Sequence, residues 1–490
     1  MTENISVKAD RGWLLVLLLA IPFAAIGLLF IGSAVHSLWL AFPLLFGDPR
    51  WRELLFQGGF GIVFGGIGFG LLAGMVWGRR KEARERQAKA QHPDEPWLWN
   101  PDWGSGLIRS SSRGEMLVAL VIAGLWNAIT VPLTINFLMD PRSAQERGRL
   151  ALLIFPIAGI ALGVWAVRAV IRYRKYGVST LQLSKVPGVI GGPLTGVVQI
   201  PVHVVPEDGF HVTLRCVHRY MTGSGKNRHT TEAVLWEDEH VIGCELCKDD
   251  PTRSAIPVLF GIPRSCQPTR PDPGSDQILW RVEVTAKTPG VDYASQFEVP
   301  VFVTPASTDD FRLDEGLIRK YEKEQVPADL FKTNDLRLEQ LPGRQILVFP
   351  AARHKGMALM MFAFAAIWTV IVVAMVKAGA PLFMTILFGL VDLAVLWSVL
   401  VVWLESRRVE IGPQEVTLSG GILGIGRTHR LRRDEVSDVV VSGGMQSGNK
   451  SYFTLKLRTK DGRSLKMGTR ILGMHSTETL AAEITKEIVI

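Results

Sequence analysis

The sequence predicts a six-span α-helical membrane protein that carries a cytoplasmic antiparallel β-sandwich and a small β-rich domain ending in a helix. Three observations predict it. Six apolar blocks in the 490-residue chain are long enough to cross a hydrocarbon core, which takes about 20 residues of helix. A polar stretch of short alternating runs, about residues 177–350, separates the fourth block from the fifth. Basic residues crowd both flanks of that stretch, with Arg168, Arg172, Arg174 and Lys175 before it and Arg353, His354 and Lys355 after it. Arginine and lysine beside a span bias the adjoining loop toward the cytoplasm.

The six blocks lie near residues 13–35, 54–77, 116–139, 150–171, 357–376 and 381–404. The first offers Gly32-Ser33-Ala34 for signal cleavage. Its apolar run exceeds the roughly 7–15 residues of a signal core, so it reads as an uncleaved helix. The second block carries Gly61 and Gly65, and Gly66, Gly70 and Gly74, at four-residue spacing. Small residues so spaced let helix backbones approach in lipid. They serve packing within the chain or a contact between two copies. Asp392 sits near the middle of the sixth block, where an acid is costly and points to function. It carries protons or meets a cation, or it is hydrogen-bonded to a polar neighbour such as Thr385, Ser398, Asn127 or Asn136.

Arg79, Arg80, Lys81, Arg84, Arg86 and Lys89 follow the second span, and Arg407 and Arg408 the sixth. Alternation then places both termini and both large polar regions inside. The excess charge of +8 sits largely beside helix ends, which assigns it to anionic headgroups and argues against nucleic acid. Residues 79–91 read as a charged helical extension. Behind it come Trp97, Trp99 and Trp103 among Pro96 and Pro101, the composition of an anchor in the headgroup zone, with a groove for a partner as the other reading.

Between residues 194–205, 210–219, 232–236, 278–286 and 296–303 the pattern alternates as strands do, broken by turns at Gly223-Ser224-Gly225 and Asp272-Pro273-Gly274. Many short strands without interleaved helices predict an antiparallel sandwich. All four cysteines, Cys216, Cys244, Cys247 and Cys266, fall here, and a reducing cytoplasm keeps them free or metal-bound. Cys244-Glu-Leu-Cys247 has the spacing of two ligands on one zinc ion, with Cys216, His218, His240 or Cys266 to complete a site. A thiol-redox pair and plain buried cysteines are the competing readings, and no cofactor is expected otherwise. Thr222-Gly223-Ser224-Gly225-Lys226-Asn227 fails the phosphate-loop pattern, because Tyr220 replaces its first glycine and Asn227 its Ser or Thr. It reads as a hairpin turn.

The runs Gly192-Pro193-Leu194-Thr195-Gly196, Val212-Thr213-Leu214-Arg215-Cys216, Ile256-Pro257-Val258-Leu259-Phe260, Trp280-Arg281-Val282-Glu283-Val284, Pro289-Gly290-Val291-Asp292-Tyr293 and Phe297-Glu298-Val299-Pro300-Val301 resemble successive strands of arrestin-type sandwiches. The resemblance covers about 120 residues and implies a module that binds proteins without catalysis. The two-domain arrestin arrangement is missing, since residues 309–340 are charged and expected to be helical.

Beyond Arg408 residues 409–418 and 427–431 alternate, residues 452–458 and 464–467 flank the hairpin signal Asp461-Gly462, and residues 477–488 are apolar at helical spacing. Strands closed by one helix, with Gly424-Ile425-Gly426-Arg427-Thr428-His429-Arg430-Leu431-Arg432-Arg433-Asp434-Glu435-Val436, resemble the pleckstrin-homology-like domains of bacterial membrane proteins. The resemblance covers about 80 residues. It implies an oligomerisation or docking module, or a lipid patch built on Arg427, Arg430, Arg432 and Arg433. As a whole the chain resembles bacterial multi-spanning inner-membrane proteins.

The expected domains are spans one and two over 1–77, a basic Trp-rich loop over 78–115, spans three and four over 116–172, the sandwich over 173–306, a charged, partly helical linker over 307–356, spans five and six over 357–404 and the C-terminal domain over 405–490. With no nucleophile elbow and no metalloprotease helix in the sequence, the expectation is a non-enzymatic scaffold for protein partners. A transporter using Asp392 and a metal or redox protein using Cys244 and Cys247 are the alternatives.

Overall fold

The computed structural model describes residues 3–41, 51–139, 154–223, 228–243, 252–270, 276–314, 316, 321, 331, 334–377, 379–447 and 450–489. Within these it divides into two compact units. One comprises Met1–Phe210, Cys216–Ala233 and Cys244–Leu313, the other His211–Arg215, Val234–Gly243 and Asp314–Ile490.

Six helices are long and apolar enough to cross a membrane: α1 (Glu3–Ala41), α2 (Trp51–Gln91), α3 (Ser112–Met139), α4 (Ile154–Tyr176), α5 (Lys355–Lys377) and α6 (Leu382–Leu404). Their outward faces are apolar, as at Leu29, Val121, Ile160, Phe362 and Leu393. Only such a surface suits a solvent that cannot hydrogen-bond the backbone. α2 runs unbroken into its charged third, where Lys81–Glu85 and Glu82–Arg86 pair one turn apart.

Glycine governs the α1–α2 contact. A Cβ on Gly68 would run into the Ala24 backbone, one on Gly61 would lie 2.7 Å from Ile31, and one on Gly27 would strike the Gly65 backbone. A Cβ on Gly59 would run into the Ala128 carbonyl of α3, and one on Gly66 would sit 3.4 Å from the Leu125 side chain. Gly70 and Gly74, expected in the same packing, have nothing within 4 Å of a Cβ among the described residues. Gly70 and Gly74 continue the Gly66 face, at one and two turns further along, and not the Gly61–Gly65–Gly68 face that meets α1, so only part of the stripe is used in packing. α3 and α4 meet through the buried Ala119, Ala123 and Ala166. There the Asn127 side-chain amide donates to the Ala123 and Gly159 carbonyls.

The sandwich has two antiparallel four-stranded sheets. One is ordered β1-β2-β4-β7 (Leu107–Arg109, Thr180–Leu183, Gly192–Ile200, Ser254–Ile262) and the other β6-β5-β8-β9 (His229–Ile242, Phe210–Thr222, Asp276–Ala286, Tyr293–Val299). β3 (Gly188–Val189) and β10 (Val301–Phe302) form a short parallel pair. Alternate residues of β4 and β7 point inward, and Leu194, Ile256 and Phe260, like Trp280, Tyr293 and Phe297 of the other sheet, are among the largest fully buried side chains. Such alternation is what one buried face requires.

The second unit holds a five-stranded sheet, β11 (Arg337–Leu341), β12 (Arg344–Phe349), β13 (Glu405–Ile411), β14 (Glu415–Ile422) and β15 (His429–Arg432), in chain order. A three-stranded sheet follows, β16 (Val436–Ser447), β17 (Lys450–Thr459) and β18 (Ser464–Leu472), then helix α7 (Met474–Val489). Leu347, Phe349, Val409, Val416, Leu455, Leu457 and Ile471 share one core with Leu480, Ile484 and Ile488 of α7.

Two expected boundaries change. Residues 307–356 are not wholly a charged linker: Leu336, Ile346, Leu347 and Phe349 are buried, and the β11–β12 hairpin turns at Gly343 (φ +71°). The C-terminal domain therefore begins before the fifth span, with α5 and α6 inserted between β12 and β13. The run 409–418 is likewise two strands, folded at Gly412, whose N–H donates to the Glu415 carbonyl.

Candidate functional site

Two helical hairpins leave the β-domains in the same way. β1 ends at Arg109 just before α3, and α4 ends at Tyr176 just before β2. β1 and β2 are antiparallel neighbours, with Arg109 opposite Thr180. β12 and β13 are neighbours too, with Phe349 opposite Arg407, and α5 and α6 lie between them in the chain. Each hairpin is thus held at both roots by a paired ladder.

The first root is dense with polar contacts. Ser110 donates its N–H to the Ser179 carbonyl and Ser111 to that of Gln296. The Lys175 ammonium donates to Thr288 Oγ1 and to the Pro289 and Val291 carbonyls. The Tyr176 hydroxyl donates to the Val291 carbonyl at 2.6 Å. Tyr293, edge-on to Tyr176, meets Ser179 and Ser295, and burial pushes its phenol up to about 12.

The tryptophan segment lies against the same domain. Trp103 is 4% exposed and donates its indole N–H to the Glu298 carbonyl at 3.0 Å. The Trp97 ring stands 5.6 Å from that of Phe302. Trp99 donates to the His92 carbonyl and lies under the Lys89 ammonium. The expected headgroup anchor does not describe Trp103, because its ring and its N–H are both satisfied by protein.

At the second root the half-buried Arg353 lies over the Phe349 ring and donates through Nη2 to the Thr469 carbonyl. Its Nη1 is buried with no hydrogen-bond partner among the described residues. Burial, with Arg470 beside it, pushes its guanidinium down to about 10. His354 donates to the Arg470 carbonyl and packs on Tyr452. Glu405 receives both Arg407 and Arg470.

Next to this root, a cavity of about 240 Å³ opens among Arg407, Arg408, Arg427, His429 and Lys466. Arg407 faces Gly420 and Leu418 faces His429 in the ladder, which brings the basic groups of β13 and β15 to one end of the sheet, and Arg407 donates to the carbonyl of Lys466 on β18 of the other sheet. Of the four arginines expected to form one patch, only Arg427 lines the cavity. Arg430 is exposed, Arg432 pairs with Glu435 and Asp434, and Arg433 donates to the Glu487 and Ile488 carbonyls near the end of α7. Alternation along β15 and the local helical turn after it send these side chains different ways. His429 and Lys466 could be found only through strand pairing, but Leu423 and Ile425 in a glycine-rich turn were a visible signal.

Asp392 is buried and accepts the Thr369 hydroxyl of α5 at 2.9 Å. Three of the other candidates bond elsewhere, Thr385 and Ser398 to carbonyls one turn back and Asn127 as above. Cys244 and Cys247 lie outside the described residues. Cys216 and Cys266 are free thiols, pushed up by burial to about 12 and about 11. His218 faces Asp276, and His240 lies 3.5 Å from Asp238. Among the described residues no group of three His, Cys, Asp or Glu side chains could hold a metal ion. On the sandwich surface Glu232 lies between Arg281 and Arg219, which hold its carboxyl down to about 2.

No family model and no curated protein matches the sequence. Among solved structures the chain is similar to the crystal structure of Spo0M, a sporulation control protein from Bacillus subtilis, at 11% identity. The match covers 52% of this chain and 88% of that one, with a TM-score of 0.20.

Proposed function

We propose that the protein is a multi-pass inner-membrane scaffold that works without catalysis or a resident cofactor and presents two cytoplasmic β-domains to protein partners. The observation that carries this reading is the double mounting: each β-domain grips the roots of a span hairpin through two adjacent strands. A ladder fixes direction as well as distance, so each domain is held in a defined orientation to its hairpin. That serves a binding surface. The two-sheet sandwich supports the arrestin-like reading of the first domain. The five- and three-stranded sheets closed by α7 support the pleckstrin-homology-like reading of the second.

The test is site-specific photo-cross-linking in native membranes from the exposed Val205 and Met221 of the sandwich. The reading expects one or a few defined protein adducts that depend on the position probed. Adducts to lipid alone, or none above background, would overturn it.

A further inference from the structure

The cavity beside the second root has no place in the scaffold reading, and its chemistry is specific. Among the described residues the side chains of Arg408, Arg427, His429 and Lys466 make no hydrogen bond or ion pair. Arg407 is held in place by Glu405 and by the Lys466 carbonyl. The nearby acid, Glu405, is shared between Arg407 and Arg470. Like charges gathered with this little compensation repel one another, and a phosphate-bearing anion relieves them through charge-assisted hydrogen bonds that guanidinium groups match well.

The neighbouring turn indicates where that phosphate comes from. Between β14 and β15 the chain exposes Leu423 by 68% and Ile425 by 79%. The Leu423 N–H donates at 2.9 Å to the carbonyl of Leu404, the last residue of α6. The apolar tip is therefore tied to the level at which the span ends. Its shape is built in, since a Cβ on Gly421 or Gly426 would strike the backbone opposite and Leu423 itself holds φ +55°. Arg407 follows Leu404 by three residues of strand, at most about 10 Å at 3.3 Å per residue, so its long side chain reaches back to the headgroup layer that flanks the hydrocarbon.

We propose that this cavity takes the phosphate of an anionic membrane lipid, with Leu423 and Ile425 entering the bilayer beside it. A dissolved phosphate would use the cations but not the tip. The lipid uses both.

The experiment places the full-length protein in nanodiscs of phosphatidylcholine with a minority of phosphatidylglycerol. It then counts the lipids retained after transfer to detergent. Wild-type protein is expected to retain phosphatidylglycerol far above its share. The triple variant Arg408→Gln/Arg427→Gln/Lys466→Gln changes only exposed side chains and should melt like wild type. It should lose at least about tenfold of that preference, from the contribution of each cation near an anionic surface. Leu423→Ser/Ile425→Ser should weaken retention with the cations intact. Unchanged retention in the triple variant would overturn the proposal. Complete displacement by millimolar inorganic phosphate, with no effect of the tip variant, would make this a soluble-anion site and overturn the lipid assignment.

Discussion

The indole N–H of Trp103 donates to the main-chain oxygen of Glu298, a partner 195 residues further along the chain. One bond thus joins the connection between the second and third spans to the last long strand of the sandwich. The ring is buried and the donor satisfied, as a buried indole demands.

Trp103→Ala should therefore destabilise the full-length protein by about 3–5 kcal/mol, the usual cost of deleting a buried aromatic. Trp97→Ala and Trp99→Ala, at half-exposed positions, should cost less. Thermal unfolding in detergent checks the order. Equal effects at all three positions would refute it.

Gly68→Ala should loosen the α1–α2 contact, because the new methyl would meet the Ala24 backbone. Gly74→Ala has open space and should be neutral, or gain up to about 1 kcal/mol from helix propensity. Disulfide trapping between cysteines placed on the two helices reports the separation directly.

Asp392→Asn keeps an acceptor for the Thr369 hydroxyl and should leave stability nearly unchanged. Thr369→Val removes the donor and should cost on the order of 1 kcal/mol. Melting of the purified variants measures both. A large loss in Asp392→Asn would require a role for the carboxyl beyond this hydrogen bond.

Glu232 ties acid stability to one network. Arg281 and Arg219 hold its carboxyl below the ordinary carboxylate value of 4.5, at about 2. A lowered pKa means that the unfolded chain takes up the proton first. The stabilisation is thus complete above about pH 4.5 and is lost as pH falls toward 2. Glu232→Gln should lower stability near neutral pH and flatten that part of the acid limb, as seen in melting midpoints between pH 6 and 2.

The spans were legible because hydrocarbon demands length and apolarity, and nothing else in the chain has both. β9 was legible because one buried face enforces a period of two, and β5 and β8 were legible as apolar, β-branched runs, several of whose successive residues are buried. β11 was not, because all five of its residues are exposed and show no buried face. β1 is three residues long between Gly106 and Ser110, too short for any period to emerge. The basic cavity is a product of register: Arg407, His429 and Lys466 lie on strands whose pairing no local pattern reveals. Local spacing grouped Arg427 with Arg432 and Arg433, whereas strand alternation and the C-terminal end of α7, which holds Arg433, separate them.

The hairpin of α5 and α6 occupies the place of a β-turn. Phe349 and Arg407 are already cross-strand neighbours, so the intervening residues 350–406 close a gap that a tight turn of a few residues spans just as well. Replacing most of that segment with an Asn-Gly turn should release the C-terminal domain as a water-soluble fold with its core intact. By the same logic, a different membrane hairpin could be spliced between the same two strands, which makes the domain a portable module.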